Sequence, residues 1–243
     1  MARVFQHSLM NAKRTYMTWS TLKESILTNE SQSESLEEKF QTDPDFSILF
    51  TKAMNNNAIA TASMLVSKID FSKTKKLLDL GGGSGIYSIL IAKSNPHIEA
   101  IVYDFPSVCE VAQEFINKYK VNSQVCVMSG NLFKDELQNE MTDILIAQVL
   151  HSYSLEECKK ILEIAYEVLT DNGRILIVDF FLNNDKISPL YSTLFSLNML
   201  VGSKGGNSYY YREISKLLTD ADFADINIID LPGPSSLISA IKR

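Results

Sequence analysis

Residues 77–85 read Leu77-Leu78-Asp79-Leu80-Gly81-Gly82-Gly83-Ser84-Gly85. An apolar run ends in glycines and leads into Ile86-Tyr87-Ser88-Ile89-Leu90-Ile91-Ala92, whose apolar residues recur at helical spacing. The layout is strand, tight turn, helix. A second apolar run, Ile98 to Tyr103, ends in an acid, Asp104. Glycines at such a turn let a ligand approach the backbone, and the start of the helix offers free N–H groups. An acid that closes the next strand suits a ribose diol.

The glycine spacing narrows the choice of nucleoside. Dinucleotide-binding turns use G-x-G-x-x-G, whose last glycine lets the helix pack close. Here Gly81, Gly83 and Gly85 give G-x-G-x-G, and Ile86 stands where that last glycine would be, which disfavours an NAD-dependent oxidoreductase. No G-x-x-x-x-G-K-[ST] occurs, so a triphosphate loop is excluded. G-x-G-x-G with a preceding acid, Asp79, resembles the S-adenosylmethionine loop of class I methyltransferases. The resemblance implies that the amino-acid end of that phosphate-free cofactor lies against the glycine turn.

The chain has 243 residues, enough for one large α/β domain with a small appendage. Its net charge of −6 argues against nucleic acid as a partner, which needs a basic face. Cys109, Cys126 and Cys158 form no C-x-x-C and leave one over in any pairing, which fits a reducing, cytoplasmic compartment. His7, His97 and His151 are scattered, and no metal site is spelled out. No apolar run approaches the roughly 20 residues that span a bilayer, so no membrane association is expected. Arg3, Lys13 and Arg14 precede the first acid, Glu24, as they would in a transit peptide. An amphipathic helix starting near Val4 accounts for the same residues and is the favoured reading.

Residues 1–70 read as a helical lead-in. Val4, Phe5, Leu9 and Met10 recur at helical spacing, and Tyr16, Trp19, Leu22, Ile26 and Leu27 continue it. Asn29 to Ser35 is polar and reads as a loop, and Ser35-Leu36-Glu37-Glu38 opens a short helix. Asp43-Pro44 matches an N-cap followed by proline, starting a helix that runs to Lys68. The second unit, 71–243, alternates. Strands are expected at 76–80, 98–103, 124–128, 143–148 and 174–181, with helices at 85–94, 107–119 and 155–169. Asp171-Asn172-Gly173 reads as a turn. Helices near 187–201 and 211–221 precede strands 225–231 and 236–242, joined by Pro232-Gly233-Pro234-Ser235. The expected fold is α/β: a Rossmann-like, seven-stranded, doubly wound sheet with a terminal antiparallel hairpin.

Further segments sharpen the resemblance to the plant-type and bacterial small-molecule O-methyltransferases. Tyr103-Asp104-Phe105-Pro106 resembles their "DLP" segment, and Gly130-Asn131-Leu132-Phe133 their "GD(M/F)F". Gln148-Val149-Leu150-His151-Ser152-Tyr153 resembles the stretch around their "LHDW". Asp171-Asn172-Gly173 before Ile175 to Asp179, Gly205-Gly206 and Tyr211-x-Glu213 follow the family's later motifs. Tyr16-x-x-Trp19 and Phe50-x-x-Ala53-Met54 fall where the family has its helical lead-in. This chain departs at Ser152-Tyr153, at Asn131, and at Asn207-Ser208, where plant members carry a catalytic glutamate. The family usually begins with a winged-helix dimerisation domain, for which this chain has little room.

The resemblance implies a cytosolic, S-adenosylmethionine-dependent O-methyltransferase acting on a small hydroxylated aromatic. It puts His151 at the general base and Asp179 at the acid that orients it. Asp104 falls at the ribose hydroxyls, and Asn131 and Leu132 at the adenine. Tyr153 falls beside them, as a stacking partner or as plain core. Phe105 and Gln148 belong to the same cofactor set. Asp79 either bonds loop amides or lies near the cofactor's ammonium group. Met54, Met64, Met199, Phe180, Phe181 and Phe195 are candidates for the acceptor pocket, with Met54, Phe181 and Met199 preferred. Glu213 reads as a helix cap rather than a catalytic group. The cofactor half does not encode the acceptor atom, so a C- or N-methyltransferase, or a non-catalytic nucleoside-binding relative, stays open. Apolar residues on helices 1–27 point to a homodimer.

Overall fold

In the computed structural model, which describes residues 13, 15–32, 34, 36–137 and 140–243, seven strands form one sheet in the order β3-β2-β1-β4-β5-β7-β6. These are β1 (Lys76–Leu80), β2 (Glu99–Asp104), β3 (Val125–Ser129), β4 (Met141–Ala147), β5 (Leu169–Asp179), β6 (Phe223–Asp230) and β7 (Ser236–Lys242). β1 to β5 run parallel, and β7 is antiparallel to both β5 and β6, which closes the chain in the expected hairpin. The helices are α1 (Leu22–Thr28), α2 (Leu36–Thr42), α3 (Pro44–Lys68), α4 (Ile86–Ser94), α5 (Pro106–Tyr119), α6 (Leu155–Val168), α7 (Leu190–Gly202) and α8 (Tyr211–Asp220). The helix expected near Val4 and the opening residue Ser35 lie outside the described residues.

Strand alternation sends side chains to two covered faces. Ile144, Ile146, Ile175 and Ile177 pack with Cys158, Ile161, Leu162 and Ala165 of α6 on one face. Leu77, Leu145, Leu176 and Val178 pack on the other with Ala62 and Leu65 of α3 and residues of α4 and α5. The lead-in is thereby part of the core. Asp43 caps α3 by accepting the Phe46 N–H at 2.9 Å, with Pro44 at the first helical position.

One expected feature changes character. β5 begins at Leu169, so Asp171-Asn172-Gly173 is a bulge inside a strand and not a turn before it. Met141 pairs with Leu169 but Asp143 pairs with Arg174, and Asn172 takes a left-handed φ of 61° to absorb the surplus residues. Among the described residues, no helix is long and apolar enough to cross a membrane.

β2 lies on one side of β1 and β4 on the other, so the connection direction reverses there. The carboxyl ends of β1 and β4 form the crevice in which open α/β sheets bind ligands. The opposite end is tied by Arg174. Its Nε donates to Asp143 at 2.6 Å, and its other nitrogens reach the Asp70 carbonyl and the Thr74 hydroxyl. Its guanidinium lies 5.3 Å from the Phe71 ring centroid. Burial pushes the Asp143 carboxyl above its ordinary pKa, against the pull of Arg174. Removing the guanidinium strands a buried carboxylate, so Arg174→Ala should lose about 3–5 kcal/mol of stability. Urea denaturation checks this; a loss below about 1 kcal/mol, the range of exposed pairs, refutes it.

Candidate active site

The site gathers the carboxyl ends of β1, β2, β4 and β5. At β1, Gly81, Gly83 and Gly85 all take left-handed φ values of 58–72°. A Cβ on Gly81 would meet Val149 at 2.8 Å, and one on Gly82 would meet Asp79 and Val102 at 2.8 Å. At Gly83 the same position is open space. Ser84 donates to the buried Asn55 of α3 at 3.0 Å, so the lead-in helix braces the glycine turn. Met54 precedes Asn55 and is half-buried there.

Asp104 closes β2. One carboxylate oxygen accepts the Gly83 N–H at 2.9 Å and the other accepts the Phe105 N–H at 2.8 Å. Burial raises its pKa to about 6 against those two amides. Phe105 packs its ring against Phe40 of α2 at 6.1 Å. Asp79 is fully buried. Its Oδ2 accepts the Ser88 hydroxyl at 2.8 Å, while Oδ1 has no hydrogen-bond partner. It bonds α4, then, and not the loop amides. Burial lifts it to about 7; the Ser88 hydroxyl opposes the rise and the Asp104 charge adds to it.

At β4 the chain leaves through Gln148, whose φ of 61° is unusual for a side chain of its size. It enters the short 3-10 turn Leu150–Ser152. His151 Nδ1 lies 2.7 Å from Asp179 Oδ1, at the end of β5, and the His151 N–H also reaches that carboxylate at 3.2 Å. A carboxylate only accepts, so it holds the imidazole proton at Nδ1 and leaves the Nε2 lone pair for other work. The ring is 12% exposed and the Asp179 side chain 5%. Phe195 of α7 meets the imidazole edge-on at 4.9 Å, and Phe180 lies over it at 6.2 Å. Gly206 permits a close approach: a Cβ there would come within 2.4 Å of the His151 carbonyl, which accepts the Asn207 N–H at 2.9 Å.

Several residues singled out from the sequence take other places. Phe181 is buried in the core against Tyr211, so the aromatic beside His151 is Phe180. β5 stops at Asp179, and successive side chains face opposite ways. Gln148 donates to Ser235 at 3.1 Å, toward the β6–β7 turn. Asn131 accepts the Phe133 N–H at 3.0 Å and so shapes its own loop, and Leu132 packs against the core. Tyr153 lies edge-on to Phe133 at 5.4 Å, and its carbonyl accepts the Tyr209 hydroxyl. Met199 is buried on α7, one helical step beyond Phe195 and two beyond Tyr191. Tyr191, missed from the sequence, stacks on Phe195; the i, i+4 spacing was the available signal. Glu213 accepts the Tyr210 N–H at 2.9 Å and caps α8.

The donor set fits a nucleoside joined to an amino acid. A left-handed glycine turn leaves open space at Gly83, and a buried carboxylate oxygen beside it lacks a partner. Among the described residues, no cluster could hold a metal ion. The raised acids carry a stability cost. Asp79 binds its proton more tightly in the folded chain than at its ordinary 3.8. Between about pH 4 and 7 the native state therefore holds the extra proton, and stability falls as pH rises. Asp79→Asn removes this contribution. The ligand-free variant should melt higher than the parent at pH 8, with the gap closing toward pH 4. A gap that does not widen with pH in differential scanning calorimetry refutes the assignment.

Comparison with known proteins gives a consistent picture. A 3-hydroxy-5-methyl-1-naphthoate 3-O-methyltransferase from Streptomyces sahachiroi is 29% identical over 184 residues, covering 75% of this chain and 53% of the relative. An L-tyrosine C(3)-methyltransferase from Streptomyces lavendulae is 29% identical over 209 residues, covering 84% of this chain and 57% of the relative. The crystal structure of human N-acetylserotonin methyltransferase in complex with S-adenosylmethionine matches with a TM-score of 0.85 at 26% identity. That match covers 93% of this chain and 67% of the human one. The chain spans between about half and two thirds of the length of the relatives it matches best. Residues 19–224, from the lead-in through α8, match the model of the O-methyltransferase domain, and the chain belongs to that family.

Proposed function

We propose that this chain transfers a methyl group from S-adenosylmethionine to a hydroxyl oxygen of a small aromatic acceptor, with His151 as general base. The observation that carries the reading is the 2.7 Å His151–Asp179 pair at the crevice edge, flanked by Phe180 and Phe195. When bound, S-adenosylmethionine supplies a methyl already activated by its sulfonium. The residues are left to orient the acceptor and take its proton. The glycine turn of Gly81, Gly83 and Gly85 admits the cofactor against the backbone. Asp104 serves the ribose hydroxyls, since its oxygens have lone pairs beyond the two they give to amides. Phe105 and Leu132 offer apolar surface near the adenine, and Tyr153 and Asn131 hold that loop in shape. Phe180, Phe195 and Tyr191 form an aromatic wall for a flat acceptor, with Met54 and Met199 as adaptable flanks. Nε2 of His151 takes the hydroxyl proton, and Asp179 steadies the resulting imidazolium.

A second reading has a specific observation in its favour. One relative is named as a C-methyltransferase of L-tyrosine. An activated aromatic carbon would meet the same wall and the same base.

His151→Ala should lower turnover about 10²-fold or more while leaving cofactor affinity within two-fold, because general-base catalysis contributes about 10²–10⁴. Asp179→Asn should act in the same direction more weakly, and the double variant should fall short of the product of the two losses. The measurement is steady-state turnover of a phenol panel, read by product mass for methyl on oxygen or carbon. Full turnover in His151→Ala at every pH sinks the base assignment.

The remaining partner and compartment readings are proposals of the same kind. The three cysteines are free, which supports a reducing cytoplasmic setting, and the acidic charge supports the absence of nucleic acid. Association through the N-terminal helices is supported by exposed Tyr16, Met17, Ile26 and Leu27. They stand on segments docked to α7, where Trp19 donates to Asn198 at 3.0 Å. Light scattering at tens of micromolar should give twice the chain mass, and Leu27→Glu should halve it. A monomeric parent refutes the dimer.

A further inference from the structure

Two buried polar atoms near the glycine turn lack a hydrogen-bond partner, and they are chemically unlike. One is Asp79 Oδ1 and the other is the hydroxyl of Tyr87. Tyr87 is the second residue of α4, immediately past the Gly85 N-cap, and its side chain is 4% exposed. It packs with Leu145 of β4 and Val178 of β5, so its ring crosses beneath the crevice. Thr61 of α3 faces the hydroxyl without reaching hydrogen-bond geometry. Burial raises the phenol's pKa, and the charges of Asp79 and Asp179 raise it further. The hydroxyl therefore stands in the field of both the glycine-turn acid and the acid behind His151. Among the described residues, no lysine or arginine forms an ion pair with Asp79.

A carboxylate oxygen accepts only, whereas a phenol both donates and accepts. One group satisfies the two together if it has at least two donors and a positive charge to neutralise the buried acid. A primary ammonium has three donors and that charge. We propose that Tyr87 and Asp79 together seat the α-ammonium of the amino-acid end of S-adenosylmethionine, which makes Tyr87 a ligand-positioning residue. The proposal rests on the cofactor reading above. The ammonium donates to Asp79 Oδ1 and to the Tyr87 oxygen, while Ser88 holds the other Asp79 oxygen in place. The position Tyr87 occupies on α4 also sets how far the amino acid can sink toward β4.

The test separates the amino-acid end from the nucleoside. Titration calorimetry compares S-adenosylhomocysteine, which carries the ammonium, with 5′-methylthioadenosine, which lacks the whole amino acid. Tyr87→Phe deletes one oxygen and keeps the packing; it should weaken S-adenosylhomocysteine about five-fold or more, and Asp79→Asn more strongly, as expected for hydrogen bonds to a charged group. Affinity for 5′-methylthioadenosine should stay within two-fold in both variants. Unchanged S-adenosylhomocysteine affinity in Tyr87→Phe overturns the proposal. So does a parallel loss of both ligands, which would mark a structural phenol or one bonded to a buried water. If the parent chain binds neither ligand, the cofactor reading falls and this proposal with it.

Discussion

The whole arrangement depends on the absence of side chains at Gly81 and Gly82. Val149 stands where a Cβ on Gly81 would be, and Asp79 and Val102 stand where one on Gly82 would be. Val149 belongs to the exit of β4, and two residues later the chain reaches His151. The close approach at Gly81 thus joins the nucleoside half of the crevice to the half that carries the imidazole. A methyl group at either position would push the two apart by a large fraction of an ångström. In-line transfer loses rate steeply when reacting groups are misplaced by that much. The glycines also take left-handed φ values that a Cβ would strain.

Behind this contact, the His151 turn is held from several directions. Asp179 accepts from both the ring and the backbone N–H of His151, and its Oδ1 also accepts the Phe180 N–H at 2.8 Å. The segment after α7 bonds the His151 carbonyl through Asn207, which also accepts the Ser196 hydroxyl. Gln148 is kept in its left-handed conformation by its N–H to Val178 at 2.8 Å and its side chain to Ser235. A strained residue that its surroundings over-determine, one step from a reactive group, fits a site fixed before its ligand arrives.

The sequence made the frame legible because its signals were local and redundant. A buried strand, a glycine turn and a helical repeat occupy one stretch, Leu77 to Ala92, and need no distant information. The Asp43-Pro44 cap and the Glu213 cap were legible for the same reason. Side-chain direction at strand ends was not. Phe180 and Phe181 are equally apolar in sequence, and only the stop of β5 at Asp179 sends Phe180 toward the imidazole. Asn131 and Gln148 show another limit. Both are polar residues near the crevice, yet each satisfies a neighbouring backbone or hydroxyl group first. The Asp171-Asn172-Gly173 bulge looked like a turn because the same left-handed asparagine serves both. Tyr87 was invisible because an aromatic on a buried helix face ordinarily means packing. Only its unpaired hydroxyl distinguishes it.

Buried polar atoms without partners cost about 1–3 kcal/mol each. Here Asp79 Oδ1, the Tyr87 hydroxyl and the Ser208 hydroxyl are in that position, on segments that meet at the crevice. Together such a penalty is a sizeable part of the roughly 5–15 kcal/mol that holds an ordinary domain folded. At the opposite end of the sheet, by contrast, Asp143 is answered by Arg174 and its neighbours. The same chain pairs one buried acid and leaves another open, so the open one is not a general failure of packing. A ligand that pairs these atoms removes the penalty when it binds. The binding energy then includes the relief of a strain already present in the ligand-free fold. The carboxyl end of the sheet is the less stable end for the same reason that it can hold a charged nucleoside.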